Sequence, residues 1–193
     1  MMHIITGSAR GVRLETLAGE TTRPTSERAK EAIFSMLQFD LEGRRVLDLF
    51  AGSGQMGLET LSRGAAHAVL VDRERAAIGV LKKNAEKTRL ASRTTIANAD
   101  ALSYLQSYRG EPFHLVFLDP PYAAGLLPVA LRALLARDML TTGATIVAEC
   151  GAPKDLFGED AALAEQFEIL KEKRYGAAYV YIMTPKRSDK EDI

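Results

Sequence analysis

The chain of 193 residues has a single cysteine, Cys150, no tryptophan and three histidines. One cysteine cannot close an internal disulfide, so a disulfide-stapled secreted scaffold is excluded. His3, His67 and His114 are far apart in sequence, and Cys150 has no companion at metal-ligand spacing, so no metal is expected. Long apolar runs are missing too. Uncharged stretches such as 139–148, which holds Thr141, Thr142 and Thr145, are too short to cross a bilayer. The opening MMHIITGSARGVRL has no basic flank followed by an apolar segment, so no secretory signal is expected. Together these absences predict a cytoplasmic protein without membrane attachment. An excess of one charge is also lacking, with Lys+Arg and Asp+Glu at 25 each. Net charge therefore does not announce a nucleic-acid partner.

The 47% apolar share suits one buried core in one domain. Charge distribution is more informative than its sum. Arg10, Arg13, Arg23, Arg28 and Lys30 outnumber Glu15, Glu20 and Glu27 near one end, and Lys171, Lys173, Arg174, Lys186 and Arg187 surround Glu172 near the other. Such clusters track phosphates or form plain solvated surface.

Residues 1–20 read as short extended pieces broken at Gly7, Gly11 and Gly19. Thr25-Ser26-Glu27, after Pro24, opens a helix with apolar positions Ala29, Ile33, Met36 and Leu37 at the helical period. From there strands are predicted at 45–50, 68–72, 94–97, 114–119 and 144–150, alternating with helices at 58–63, 74–90, 102–108 and 128–137. Apolar strands between helices mean a parallel sheet buried on both faces. Residues 167–173 and 177–183 flank Tyr175-Gly176 and predict an antiparallel hairpin at the sheet edge. The expected organisation is an N-terminal extension at 1–42, an α/β Rossmann-like domain at 43–185 and a charged tail at 186–193.

The first of these strands runs into Ala51-Gly52-Ser53-Gly54-Gln55-Met56-Gly57, which satisfies G-x-G-x-x-G. The glycines let backbone turn sharply and approach a ligand at the carboxyl end of a strand. A dinucleotide would bring its pyrophosphate here, where Asp48 would repel it. A ligand carrying an ammonium and a sulfonium suits that carboxylate instead. Asp72 ends the next strand, where an acid takes ribose hydroxyls, and Asp100 ends the third, within reach of an adenine amino group. S-adenosylmethionine accounts for all three acids, with Asp48 and Asp72 otherwise structural strand-end acids and Asp100 otherwise a cap for the helix after it. Met56 reads as core.

The fourth strand feeds into Asp119-Pro120-Pro121-Tyr122. Consecutive prolines fix the backbone and remove two amide donors. Asp119 and the Pro120 carbonyl can then accept both hydrogens of an amino group, while Tyr122 offers a face for a stacked base, worth roughly 1–3 kcal/mol. An exocyclic amine on a base is a poor nucleophile because its lone pair is delocalised into the ring. Acceptors that strengthen as the nitrogen becomes tetrahedral stabilise the transition state preferentially. Cys150 reads as buried, which disfavours covalent catalysis.

With the loop and the tetrapeptide stand two further segments, Ile5-Thr6-Gly7-Ser8-Ala9-Arg10-Gly11 and Arg23-Pro24-Thr25-Ser26-Glu27-Arg28-Ala29-Lys30-Glu31-Ala32-Ile33-Phe34. In these the chain resembles, over most of its length, the bacterial 16S ribosomal RNA guanine-N2 methyltransferases (RsmD-like). The glycine loop is shared by class I methyltransferases and the tetrapeptide by amino-group methylators. The Arg-Pro-Thr-Ser-Glu-Arg segment narrows the family. The resemblance implies a seven-stranded, mostly parallel sheet with a C-terminal antiparallel hairpin. It implies S-adenosylmethionine as cofactor, leaving S-adenosylhomocysteine, and a cofactor site at Asp48, Phe50, Ala51, Gly52, Gly54, Asp72, Asp100 and Ala101. It makes Asp119, Pro120 and Tyr122 the catalytic group and places Arg10, Arg23, Thr25 and Arg28 at the RNA. Where the family carries a small residue after Gly54, this chain has Gln55, a larger side chain at the pocket rim. The expected partner is 16S ribosomal RNA or the assembling small subunit, and the expected state a monomer. A DNA adenine-N6 methyltransferase is the alternative, although little chain is left for a recognition module. Protein-glutamine methylators usually carry Asn in place of Asp119. A dinucleotide oxidoreductase leaves Asp48 and the tetrapeptide unexplained, and a non-catalytic RNA-binding module has no use for three acids around a glycine loop.

Overall fold

The structure, a computed structural model, describes residues 2–17, 24–37 and 40–186, the side chains at 24–26 and 123 excepted. Seven strands form one sheet: β1 (Arg45–Asp48), β2 (His67–Asp72), β3 (Thr94–Asn98), β4 (Phe113–Leu118), β5 (Leu140–Cys150), β6 (Phe167–Tyr175) and β7 (Ala178–Pro185). Their order is β3-β2-β1-β4-β5-β7-β6. The first five are mutually parallel, while β7 runs antiparallel to both β5 and β6. Among the described residues six α-helices accompany them: α1 (Pro24–Leu37), α2 (Gln55–Ser62), α3 (Arg75–Lys87), α4 (Ala101–Ser107), α5 (Leu126–Ala136) and α6 (Ala161–Glu165).

Alternation along the strands explains why the sheet is covered on both sides. Val46, Leu70, Leu115, Phe117, Val147 and Val180 bury against α1, α2 and α3, through Ile33, Phe34, Leu58, Leu61 and Leu81. Their neighbours Leu47, Val71, Val116, Leu118, Ile146 and Tyr181 face α4 and α5, through Leu105, Leu127, Leu131 and Leu134. Because β1 sits between β2 and β4, the chain reverses its winding there. The carboxyl ends of β1 and β4 open a crevice at that switch point.

The described residues ahead of β1 pack into the same core. Met2, Ile4, Ala9 and Leu14 join Phe34 and Leu37 of α1 in the cluster that includes Val46 and Phe117. Residues 3–13 double back on themselves, with Gly11 N donating to Ile4 O at 2.8 Å and Ile4 N to Val12 O at 3.0 Å. Gly7, at φ +88°, brings its backbone so close to Ser62 that a Cβ would stand 1.8 Å from that carbonyl oxygen. The fully buried carboxylate of Glu59 accepts from Ile5 N at 2.7 Å, Thr6 N at 3.0 Å and Arg63 Nε at 2.7 Å. Lys30 Nζ lies 3.3 Å from the same carboxylate and donates to His3 O at 2.9 Å. Desolvation lowers the Lys30 pKa against the attraction of Glu59. A buried charge so fully partnered is tolerated, but removing one partner strands the rest, at a cost of roughly 3–5 kcal/mol.

Expected elements differ from observed ones mainly at their ends. α3 stops at Lys87, short of the predicted 90, because Thr88 caps it and Arg89 takes φ +60°. β5 begins at Leu140, four residues before the expected start, and its pairing with β4 is irregular between the Phe113–Leu140 and Leu115–Thr145 pairs. The short α6, capped by Asp160 at Leu163 N, is not foreseen from the pattern. The charged residues 187–193 and Gly19 lie outside the described residues.

Candidate active site

The glycine loop is held by backbone pairing that extends the sheet. Leu49 N donates to Phe117 O at 3.1 Å and Ala51 N to Val71 O at 2.9 Å. Gly52 at φ +52° and Gly54 at φ +81° supply the left-handed turns that L side chains resist. Gly57 has a packing reason: a Cβ there would meet Leu70 Cδ2 at 2.2 Å. Asn84 of α3, fully buried, fixes the loop from beneath. Its Nδ2 donates to Ser53 O and to Glu15 O, both at 2.9 Å, and its Oδ1 accepts from Glu15 N at 2.8 Å.

Two neighbouring cavities flank this loop. The larger, about 570 Å³, is lined by Leu49, Phe50, Gly52, Asp72, Asp100, Ala101, Asp119, Pro120 and Tyr122 among others. The smaller, about 120 Å³, is lined by Lys30, Asp48, Phe50, Ala51, Gln55, Asp119 and Glu149 among others. Phe50 and Asp119 belong to both. The larger volume lies in the range of pockets that hold small-molecule cofactors.

The three strand-end acids differ in setting. Asp48 is buried in the smaller cavity, and its Oδ2 accepts from Gly57 N at 3.2 Å. Burial pushes its carboxyl up to about 7, against the backbone donors of Gly57 and Phe50, with the charge of Asp72 adding to the rise. Asp72 is half-buried and accepts from Gly52 N and Glu74 N, both at 2.9 Å, so it shapes the loop as well as facing the cavity. Asp100 caps α4, accepting through Oδ1 from Leu102 N at 3.0 Å and Ser103 N at 3.1 Å, while also lining the larger cavity. Ala51 lines only the smaller cavity, and Gly54 lines neither.

The tetrapeptide leaves β4 directly into the crevice. Asp119, Pro121 and Tyr122 are exposed and Pro120 is buried, and Ala124 N closes a tight turn on Pro121 O at 3.0 Å. The Tyr122 hydroxyl donates to Glu149 Oε1. Burial, followed by that bond and the charges of Glu149 and Asp119, raises the phenol's pKa well above its ordinary value. Cys150 is buried, its thiol pushed up to about 11 chiefly by burial, which suits packing and not nucleophilic attack.

Of the expected RNA contacts, Arg10 and Arg28 are exposed and neither lines either of these two cavities. Arg23 lies outside the described residues, as does the side chain of Thr25, whose backbone belongs to the first turn of α1. The structure adds Leu17, Glu74 and Leu126 to the larger cavity and Lys30 and Glu149 to the smaller. Glu74 was within reach of sequence reasoning, two residues past Asp72 at the same strand end. Among the described residues no three His, Cys, Asp or Glu side chains group as a metal site would need, and no helix is long and apolar enough to span a membrane.

Comparison with known proteins converges on one group. Residues 2–184 match the protein family described as Conserved hypothetical protein 95. The Haemophilus influenzae protein named Ribosomal RNA small subunit methyltransferase D is 34% identical over 177 residues, covering 91% of this chain and 89% of that one. Bacillus subtilis YlbH, provisionally named an rRNA methyltransferase, is 41% identical over 150 residues, covering 77% of this chain and 82% of its own length. The solved Escherichia coli protein yhhF, provisionally named a methyltransferase, has a TM-score of 0.83 and 31% identity, covering 96% of this chain and 98% of that one. The chain is a methyltransferase that belongs to the Conserved hypothetical protein 95 family, the family of the ribosomal RNA small subunit methyltransferases D.

Proposed function

We propose that the chain transfers a methyl group from S-adenosylmethionine to the exocyclic N2 amino group of a guanine in 16S ribosomal RNA, in the cytoplasm, releasing S-adenosylhomocysteine. The observation that carries this reading is the position of Asp119. It lines both the larger cavity, ringed by Asp72 and Asp100, and the smaller one, beside Tyr122's partner Glu149. The names of the Haemophilus and Bacillus relatives support ribosomal RNA as the substrate class.

The larger cavity fits the cofactor by its chemistry. Asp72 and Glu74 supply acceptors for ribose hydroxyls, while Leu49, Phe50, Ala99, Ala101 and Leu126 offer apolar surface for a purine. When bound, S-adenosylmethionine supplies an electrophilic methyl carbon on a positively charged sulfur. Asp48, Phe50, Ala51, Gly52, Gly54, Asp72, Asp100 and Ala101 would hold or shape the place for it. Asp119 and the Pro120 carbonyl accept the two hydrogens of the target amine and hold its nitrogen as it becomes tetrahedral. The surplus proton then leaves through the Asp119 carboxylate to water. Tyr122, steadied by Glu149, stacks on the base, which must be unstacked from its neighbours to enter. Orientation of this kind supplies on the order of 7–11 kcal/mol of barrier reduction. Arg10, Arg23, Thr25 and Arg28 would hold RNA phosphates around the entrance.

The even balance of 25 basic and 25 acidic residues gives no broad cationic surface for naked transcript, which favours a structured target in the assembling small subunit. The deciding experiment is methyl transfer from labelled S-adenosylmethionine to small subunits, and to their extracted RNA, from cells lacking this protein, with duplex DNA alongside. Label recovered as N2-methylguanosine is expected. Label only as N6-methyladenine in DNA would refute the substrate assignment, and equal rates on naked and assembled RNA would remove the preference for the particle.

A further inference from the structure

Glu149 follows Ala148, which pairs with Leu118 across β4 and β5, so Glu149 and Asp119 leave neighbouring parallel strands at the same level. Strand alternation puts both on the side of Phe117 and Val147, and both line the smaller cavity. Glu149 is half-buried, and its Oε1 accepts the Tyr122 hydroxyl. The Tyr122 ring in turn rests on Gly151, where an added Cβ would stand 3.0 Å from Cδ2. The acid is therefore fixed in place beside the residues that take the amine.

Guanine offers two adjacent donors on the edge that carries its amine, the N2 amino group and the ring N1–H. A base drawn from its stack leaves both without partners, and a buried donor left unpaired is costly. Asp119 and the Pro120 carbonyl use the amine hydrogens, so the N1–H needs an acceptor alongside. We propose that Glu149 is a specificity-determining residue that accepts the ring N1–H of the target guanine. This inference rests on the guanine-N2 reading and deepens it. In adenine the ring nitrogen beside the amine is an acceptor, whose lone pair would face the carboxylate. Two carboxylates on adjacent strands thus select a donor–donor edge and repel a donor–acceptor one.

The test uses the full-length protein and small-subunit RNA in which the guanine methylated by the wild type, once mapped, is replaced by 2-aminopurine. That base keeps the N2 amine but has an acceptor at N1. Wild type is expected to favour guanine in kcat/KM by about 10- to 100-fold, the worth of one charge-assisted hydrogen bond. In Glu149→Gln the amide oxygen still receives the Tyr122 hydroxyl, while its NH2 turns toward the base. The preference should fall at least tenfold, with an unchanged S-adenosylmethionine-induced rise in Tm showing that the variant folds and binds. Tyr122→Phe should lower both rates and keep their ratio, which separates a contact to the base from support of the tyrosine. A wild-type ratio near one, or a ratio unchanged in Glu149→Gln, overturns the inference while N2-methylguanosine in the wild-type product leaves the guanine-N2 reading standing. Absence of N2-methylguanosine from the wild-type reaction overturns both.

Discussion

Asp48 makes the protein's stability and its cofactor affinity depend on pH in a direction opposite to that of an ordinary paired acid. Its carboxyl is buried and rises from 3.8 to about 7, chiefly by desolvation. Between those two values the folded state holds a proton that the unfolded chain has released. Stability therefore falls as pH rises through that window: the penalty is absent below 3.8 and complete above about 7. A displacement of this size corresponds to on the order of 4 kcal/mol. Asp48→Asn is neutral at every pH and keeps an oxygen for the Gly57 N–H that bonds Oδ2 in the native protein. Urea unfolding of both proteins at pH 4–8, followed by far-ultraviolet circular dichroism because the chain has no tryptophan, measures the difference. The variant should gain on the wild type steadily up to about pH 7 and hold its lead beyond. Binding a cationic ligand should reverse the sign of the effect. In the function proposed above the ammonium of S-adenosylmethionine meets the ionised acid, so its affinity for the wild type should climb by up to about tenfold per pH unit below 7 and that slope should vanish in the variant. A stability difference that stays flat from pH 4 to 8 would refute the buried, proton-binding Asp48 described here.

Asp119→Ala should cut turnover by at least about 10²–10³-fold while leaving S-adenosylmethionine affinity within a few-fold, measured by single turnover and calorimetry; lost cofactor binding with normal saturated turnover would reassign the residue. Asp72→Ala removes the acceptor of Gly52 N and the expected ribose contact, so affinity should weaken by about 10- to 100-fold, and an unchanged Kd would return that residue to structure alone. Gly57→Ala drives a methyl into Leu70 Cδ2 and should destabilise the fold by about 1–3 kcal/mol in urea titrations, and the double variant with Leu70→Ala should lose less than the sum of the two single losses.

What could be read from the sequence was whatever depends on neighbours along the chain. Apolar runs between helices placed the seven strands because consecutive residues such as 46 and 47, 70 and 71, or 115 and 116 fill the two cores on opposite faces of the sheet. The left-handed glycines and the two prolines marked the ends of β1 and β4 for local conformational reasons, and those ends are the crevice. Partners brought in by folding were not legible. Glu149 stands 27 residues from Tyr122, and only the β4–β5 register sets the two side by side. Asn84 carries no signal along the chain, since its role comes from the loop and Glu15 that fold against it. Asp100 shows the sharper limit. Strand-end placement argued for a ligand contact and the following helix argued for a cap; the structure shows the cap, with Oδ1 occupied by the first turn of α4, and the residue also lines the larger cavity. A cap so placed orients its carboxylate before any ligand arrives, so the two uses are compatible. Sequence patterns weigh such readings as rivals because they assign one cause to each residue, whereas a carboxylate has two oxygens and can satisfy a helix and a cofactor at once.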